Sequence, residues 1–382
     1  MSHLFALALS AASLLGWLAL ALLHGGFWRV RFPPPSPDPT RWPTVVAVVP
    51  ARDEAQLIGT ALRSLLLQEY PGPYHVVVVD DHSTDSTAAI AESTAAQLGM
   101  AGKLTVFAAR ELPRGWMGKV WAQAEGLRVQ WKRFPHARYV WLTDADIEHS
   151  TTTLRELVAR AEAGQCVLAS LMVRLRCVSL AEKALVPAFV FFFAMLYPLQ
   201  RVNDPKSRVA AAAGGCMLAR TDALAAAGGI AAIRDALIDD CTLAALLKQA
   251  GPIRLDLART SHSLRAYEGC APIWDMIARS AYTQLRLSPA LLAATALGML
   301  LLFAVPVACA VFAWPAPLAW LLMMALYTPM LRYYGRSLLW APALPLVAMF
   351  YLAATLASAW RYYRGRGGYW KGRAQAMRGR AT

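Results

Sequence analysis

Tyr139-Val140-Trp141-Leu142-Thr143-Asp144-Ala145-Asp146 is an apolar run that ends in two carboxylates one residue apart. An unbroken apolar stretch of this length predicts a short strand buried on both faces. Acidic residues directly after it place a loop at the strand's carboxyl end, where open α/β sheets bind ligands. Carboxylate oxygens at this spacing suit a hard divalent cation that keeps positions free for phosphate oxygens. They equally suit the N-cap of a following helix, so the surroundings decide between the two.

Upstream the same pattern repeats. Residues 44–49 (TVVAVV), 75–79 (HVVVV) and 104–108 (LTVFA) read as buried strands. Between and after them, residues 55–68, 86–98, 120–131 and 154–163 read as helices. Continuous β-branched runs alternating with helices predict an α/β fold, a mostly parallel sheet with helices on both faces. The first two strands are each followed by an acidic loop: Pro50-Ala51-Arg52-Asp53-Glu54 after the first and Asp80-Asp81-His82-Ser83-Thr84-Asp85 after the second. In a parallel sheet these loops leave by the same edge as Asp144 and Asp146. Carboxylates converging on one crevice repel unless a cation or a ligand's donors lie among them. Asp85, followed by Ser86 at a helix start, reads as a cap instead.

The composition points to a membrane. Of 382 residues, 57% are hydrophobic, an excess over an ordinary soluble enzyme. Residues 4–23 are uncharged and long enough to cross a bilayer. No Lys or Arg precedes this run and Arg29 and Arg31 follow it, so residues 1–31 read as an uncleaved anchor with the next region cytoplasmic. Residues 32–43, with Pro33-Pro34-Pro35-Ser36-Pro37-Asp38-Pro39, form a stiff linker. Residues 44–288 then make one domain. Within it, residues 186–199 (VPAFVFFFAMLYPL) are too short to span and are expected to lie in the membrane surface, a core helix being the alternative. Residues 289–360 form a C-terminal membrane region with apolar segments 291–314, 318–331 and 338–360. Three full spans would put the basic tail 361–382 opposite the domain, against the positive-inside rule. The short middle segment is therefore expected to be re-entrant or interfacial, with the tail cytoplasmic.

The basic residues behind the net charge of +14 flank these segments (Arg361, Arg364, Arg366, Lys371, Arg373) or are spread through the rest, which favours anionic lipid headgroups, with an anionic substrate second. No recognition helix or aromatic-studded basic module argues for nucleic acid. The six cysteines form no C-x-x-C pair and read as small reduced residues without a zinc site. His149 and His262 read as ordinary surface or core histidines.

Strand–P-x-x-x-E, strand–D-D-x-S-x-D and strand–D-x-D together resemble the family 2 glycosyltransferases of the GT-A fold, over residues 44–286. The resemblance implies a nucleotide-sugar donor, with Asp81 on the base, usually uracil, and Pro50, Arg52 and Glu54 in the loop that helps hold it. It places Asp144 near the ribose and diphosphate and makes Asp146 a ligand of Mg2+ or Mn2+. The family commonly has Asn where this chain has Asp53. Gly115-Trp116-Met117-Gly118-Lys119 allows close approach to a phosphate and sets a positive charge at a helix start. It is similar to the G-K element of lipid-linked members, which implies diphosphate contact for Lys119. Asp239-Asp240 stands where the family has E-D, implying that Asp240 is the catalytic base; Asp239 also reads as a cap for a helix over 241–250. Gln284 and Arg286 resemble a degenerate Q/R-x-x-R-W element over the diphosphate, with Leu287 in place of Trp.

Longer stretches are closer to one subgroup. Residues 170–176 (SLMVRLR), 187–193 (PAFVFFF), 203–205 (NDP), 213–218 (AGGCML) and 369–373 (YWKGR) resemble the hopene-associated glycosyltransferases of bacterial hopanoid clusters. This implies an inverting, membrane-bound transferase at the cytoplasmic face of a bacterial inner membrane, acting on a lipid acceptor such as a hopanoid. Two other readings compete: a catalytically idle nucleotide-sugar-binding or scaffolding membrane protein, and a membrane-associated nucleotidyltransferase. The four aspartates Asp81, Asp144, Asp146 and Asp240 argue against the first. The second has no use for Asp240.

Overall fold

The computed structural model describes residues 3–365 together with 369, 370, 373 and 374. The chain divides into two compact units, one containing Arg31–Leu175 and Val202–Arg265. Its strands are β1 (Val45–Ala51), β2 (Tyr74–Asp80), β3 (Leu104–Ala108), β4 (Tyr139–Leu142), β5 (Ile147–Glu148), β6 (Leu168–Arg174), β7 (Met217–Arg220) and β8 (Ile253–Ser263). They form one sheet in the order β3-β2-β1-β4-β7-β6-β8-β5. The first four are mutually parallel. Beyond β4, β7 runs antiparallel to both neighbours, β6 and β8 pair in parallel, and β5 is antiparallel to β8. The sheet is therefore mostly parallel, as expected, with an antiparallel insertion that the alternation of strands and helices did not predict.

Every residue of β1 is buried, because helices cover both faces. Val45, Ala47 and Val49 pack in one core cluster with Ile58 and Leu62 of the helix Ile58–Leu66. Val48, pointing the other way, meets the helix Gly118–Arg133. A Cβ on Gly126 of that helix would lie 2.3 Å from Val48 Cγ1, so only glycine allows this approach. Pro50 sits in a central strand, where a missing N–H is normally excluded. It is tolerated because the β1–β4 pairing stops at Val48↔Leu142 while the β1–β2 pairing runs on to Ala51↔Asp80. The strand edges part there, and the acidic loops begin.

The second unit contains Arg176–Arg201 with residues 3–30 and 266–365. Among the described residues, three of its helical segments are long and apolar enough to cross a membrane: His3–Leu23, Pro289–Ala308 and Leu338–Tyr363. The helix Pro315–Tyr333 lies between the last two in sequence. Pro289–Ala308 passes through a π-helical turn at Leu300–Ala304. Pro306 cannot donate to the carbonyl four residues earlier, Leu302. The Trp17 indole N–H donates to that carbonyl instead, at 2.8 Å.

Residues 186–199 fall mostly in a longer helix, Leu180–Leu196, opened by a capping box between Ser179 and Glu182. The sequence favoured a helix lying flat in the membrane surface within the 44–288 domain. Here the segment groups with the apolar helices, as do residues 266–288. Phe191 is fully buried, in ring contact with Phe27, Phe192 and Tyr327. Phe189, Phe192 and Phe193 are half-buried. Of the basic tail, Arg366, Lys371 and residues 375–382 lie outside the described residues. Cys166, Cys216 and Cys309 are buried and Cys270 is exposed.

Candidate active site

Where β1, β2 and β4 end, their loops bring the expected acidic residues together. Asp81 is fully buried, and its N–H continues the sheet by donating to the Ala51 carbonyl at 2.8 Å. Arg52 crosses from the first loop to the second. Its guanidinium donates to the Asp81 carbonyl and lies 3.9 Å from the Asp81 carboxylate. The loops are also tied by Asp53, held at φ 50°, which accepts from the Thr84 N–H at 2.7 Å. Glu54 N–H donates to Thr87 Oγ1 at 2.8 Å. Asp85 is not the N-cap of the helix Thr87–Gln97, a place taken by Ser86; it accepts from the Thr87 N–H and from the Ala55 N–H, both at 3.0 Å.

Lys119 stands in the first turn of its helix, where the helix dipole opposes a positive charge. Carboxylates compensate. Its Nζ lies 2.8 Å from Asp144 and 3.5 Å from Asp239. Burial alone would lower the Lys119 pKa; Asp144, Asp239 and Asp240 outweigh it and hold the ammonium charged. Burial pushes the Asp144 carboxyl up to about 6 against the pull of Lys119. Asp239 and Asp240 open the helix Asp239–Leu247, two residues earlier than the sequence reading placed it, so Asp239 is the first helical residue rather than its cap. Asp240 Oδ2 accepts from the Gly214 N–H at 2.9 Å and Oδ1 from the Cys241 N–H at 2.7 Å. Burial and the neighbouring Asp239 raise its pKa. A Cβ on Gly214 would sit 3.1 Å from Lys119 Nζ and 3.4 Å from Asp240 Oδ2, so this glycine lets the cation and the carboxylate share one small space.

Asp146 makes a contact that the sequence did not foretell. Its Oδ2 accepts from Arg265 Nε at 2.7 Å, while Arg265 Nη2 donates to Glu54 Oε1 at 2.6 Å. Arg265 follows β8, and the Leu264 N–H donates to the Asp146 carbonyl at 2.8 Å, which brings the two segments together. Nothing local to Arg265 announces this; only the β5–β8 pairing does. Gln284 and Arg286 fall in the other unit, at the end of the helix Cys270–Gln284, where Gln284 donates to the Tyr197 hydroxyl. His149 is a core residue, hydrogen-bonded to Thr143 and Ser261, and burial pushes its pKa down to about 3.

Six carboxylates (Glu54, Asp81, Asp144, Asp146, Asp239 and Asp240) are thus accompanied by three cations (Arg52, Lys119 and Arg265). With all ionised, three negative charges are left over. Hard oxygen donors with excess negative charge fit a divalent cation such as Mg2+ or Mn2+, with Asp146 as the candidate ligand. Among the described residues no group of three His, Cys, Asp or Glu side chains forms a protein-only cage. The remaining ligands would come from a diphosphate and water, as is usual for Mg2+.

Residues 46–227 match the family model described as glycosyl transferase family 2. No curated protein matches the chain. Among solved structures, a mannosyltransferase from Pyrobaculum calidifontis in complex with GDP-Man and Mn2+ superposes with a TM-score of 0.61 at 20% identity, covering 94% of this chain and 99% of that one. Mannosyl-3-phosphoglycerate synthase from Rubrobacter xylanophilus aligns at TM-score 0.41 and 18% identity, over 64% of this chain and 73% of that one. Glucosyl-3-phosphoglycerate synthase from Mycobacterium tuberculosis, in complex with Mn2+ and UDP-glucose, aligns at 0.40 and 18%, over 64% and 78%. The first of these likenesses establishes the GT-A fold.

Proposed function

From the premise that this chain is a glycosyltransferase with a family 2 domain at residues 46–227, we propose that it is a membrane-bound inverting enzyme that moves a sugar from a nucleoside diphosphate to a lipid hydroxyl. The observation that carries this reading is the placement of Lys119 and Asp240 beside Gly214. A fixed ammonium beside a fixed carboxylate provides charge for a leaving diphosphate next to a base for an incoming hydroxyl.

Asp81 and the Arg52 loop take the nucleoside; Asp144 and Lys119 lie toward the diphosphate. A divalent cation held at Asp146 would act as a Lewis acid on the diphosphate oxygens. Asp240, oriented by two backbone N–H groups, accepts the proton of the acceptor hydroxyl as its oxygen bonds to the anomeric carbon. The bond from that carbon to the diphosphate breaks on the opposite side, inverting the centre. Lys119 offsets charge on the leaving group. Gln284 and Arg286 are proposed diphosphate contacts by the motif they resemble.

The apolar helices support a lipid acceptor, and the five stretches similar to hopene-associated enzymes favour a hopanoid at the inner membrane's cytoplasmic face. The test is incubation of the full-length protein with Mn2+, a panel of UDP- and GDP-sugars and extracted bacterial lipids. Nucleoside diphosphate release that depends on the lipid, with a glycosylated hopanoid in the mass spectrum, is the expected result. Release that is equal with a water-soluble acceptor and no lipid would overturn the acceptor assignment.

A further inference from the structure

The Arg265 guanidinium bridges Asp146 and Glu54, both nearly buried, through separate nitrogens. Charge-assisted hydrogen bonds in such a place are strong, and the backbone bond from Leu264 to Asp146 keeps the arginine aligned with them. Two consequences follow for a ligand. A divalent cation arriving alone meets a fixed positive charge on the very carboxylate it needs. A nucleoside diphosphate, by contrast, carries oxygens that a planar guanidinium binds well.

We propose that Arg265 makes divalent-metal binding conditional on the nucleoside diphosphate. Without nucleotide it neutralises Asp146 and Glu54. When metal and nucleotide arrive together, it releases Asp146 and donates to the diphosphate oxygens. The device rests on the reading of Asp146 as the metal ligand. It would keep the site from filling with free cation and would hold the donor loop, through Glu54, in the shape that receives the nucleotide.

Calorimetry on the full-length protein in detergent, with Mn2+ alone and with Mn2+ plus UDP or GDP, tests this. The wild type should bind Mn2+ weakly alone and more tightly with nucleotide. Arg265→Gln exposes the carboxylates and should bind Mn2+ alone about tenfold tighter or more, while binding nucleotide less well. Arg265→Lys keeps the charge and should leave Mn2+ alone weakly bound. Unchanged Mn2+ affinity in Arg265→Gln, or equal gains in the Gln and Lys variants, would overturn the proposal. Adding Asp146→Asn to Arg265→Gln separates the two levels. The gain must vanish in the double variant; if it persists, Asp146 is not a ligand and the metal assignment itself falls. If nucleotide-dependent Mn2+ binding needs Asp146 but ignores residue 265, only the conditional role falls.

Discussion

Asp240 is held on both oxygens, by Gly214 and Cys241, and is raised in pKa by burial and by Asp239. Its replacement by Asn keeps the shape and removes the base. We expect Asp240→Asn to lower kcat by about 10²–10⁴ while calorimetry shows donor binding retained. Weak donor binding with normal turnover at saturation would instead assign Asp240 to the donor site. A base works deprotonated, so activity is lost as pH falls through its raised pKa. Removing the adjacent like charge in Asp239→Asn lowers that pKa, and the acid limb of kcat/KM against pH should move to lower pH. A limb that stays in place would remove Asp239 from the electrostatics of the base. These residues, with Asp81, Asp144 and Lys119, were legible because each stands next to a strand end or a helix start that the local pattern reveals. Arg265 was not. Its partners Asp146 and Glu54 are 119 and 211 positions away, and a lone arginine after a strand carries no local sign of either.

At the scale of elements, β1 to β4 and the helices around them read directly from apolar runs, since parallel strands buried on both faces must be continuously apolar. The other half of the sheet did not read so. β7 is four residues long, and β8 mixes Arg254, Asp256 and Arg259 with its apolar positions. Arg254 and Asp256 pair with each other, and Arg160 joins them, so polar side chains in that strand are satisfied by neighbours invisible in the local sequence. The helix-to-sheet contact at Gly126 was equally hidden. A methyl at Gly126 meets Val48 Cγ1 at 2.3 Å and Val79 Cγ2 at 3.1 Å, in a strand that cannot retreat. Gly126→Ala should therefore destabilise the domain by about 1–3 kcal/mol despite the better helix propensity of alanine. Val48→Ala in the same chain removes the clashing methyls and should recover part of the loss. A double-variant cycle on thermal unfolding in detergent reads this coupling. Simple addition of the two single effects would mean that the helix moves aside instead.

For the whole molecule the question is on which side of the membrane the chain ends. Basic residues after the anchor (Arg29, Arg31) and at or just past the end of the last apolar helix (Arg361, Arg364) both resist translocation. An independent argument comes from contacts inside the apolar unit. At the end of Leu338–Tyr363, Arg361 pairs with Asp275 at 2.7 Å, the Tyr363 hydroxyl meets that of Tyr282 at 2.9 Å, and Ser358 Oγ accepts from the Tyr282 N–H at 3.0 Å. Asp275 and Tyr282 belong to the helix Cys270–Gln284, which precedes the first C-terminal crossing candidate, Pro289–Ala308. A chain that leaves one side after residue 284 and comes back to touch that helix has crossed an even number of times. Two crossings, Pro289–Ala308 out and Leu338–Tyr363 back, satisfy this. We propose this topology, in which the helix Pro315–Tyr333 does not span. The exposed Cys270 serves as an internal marker for the side on which that helix lies. With a cysteine added after Thr382, neither thiol should react with a membrane-impermeant maleimide in intact cells, and both should react in inverted vesicles. Labelling of the added cysteine from outside, with Cys270 still protected, would require a third crossing after Pro289 and would mean that the Arg361–Asp275 pair does not form in the membrane.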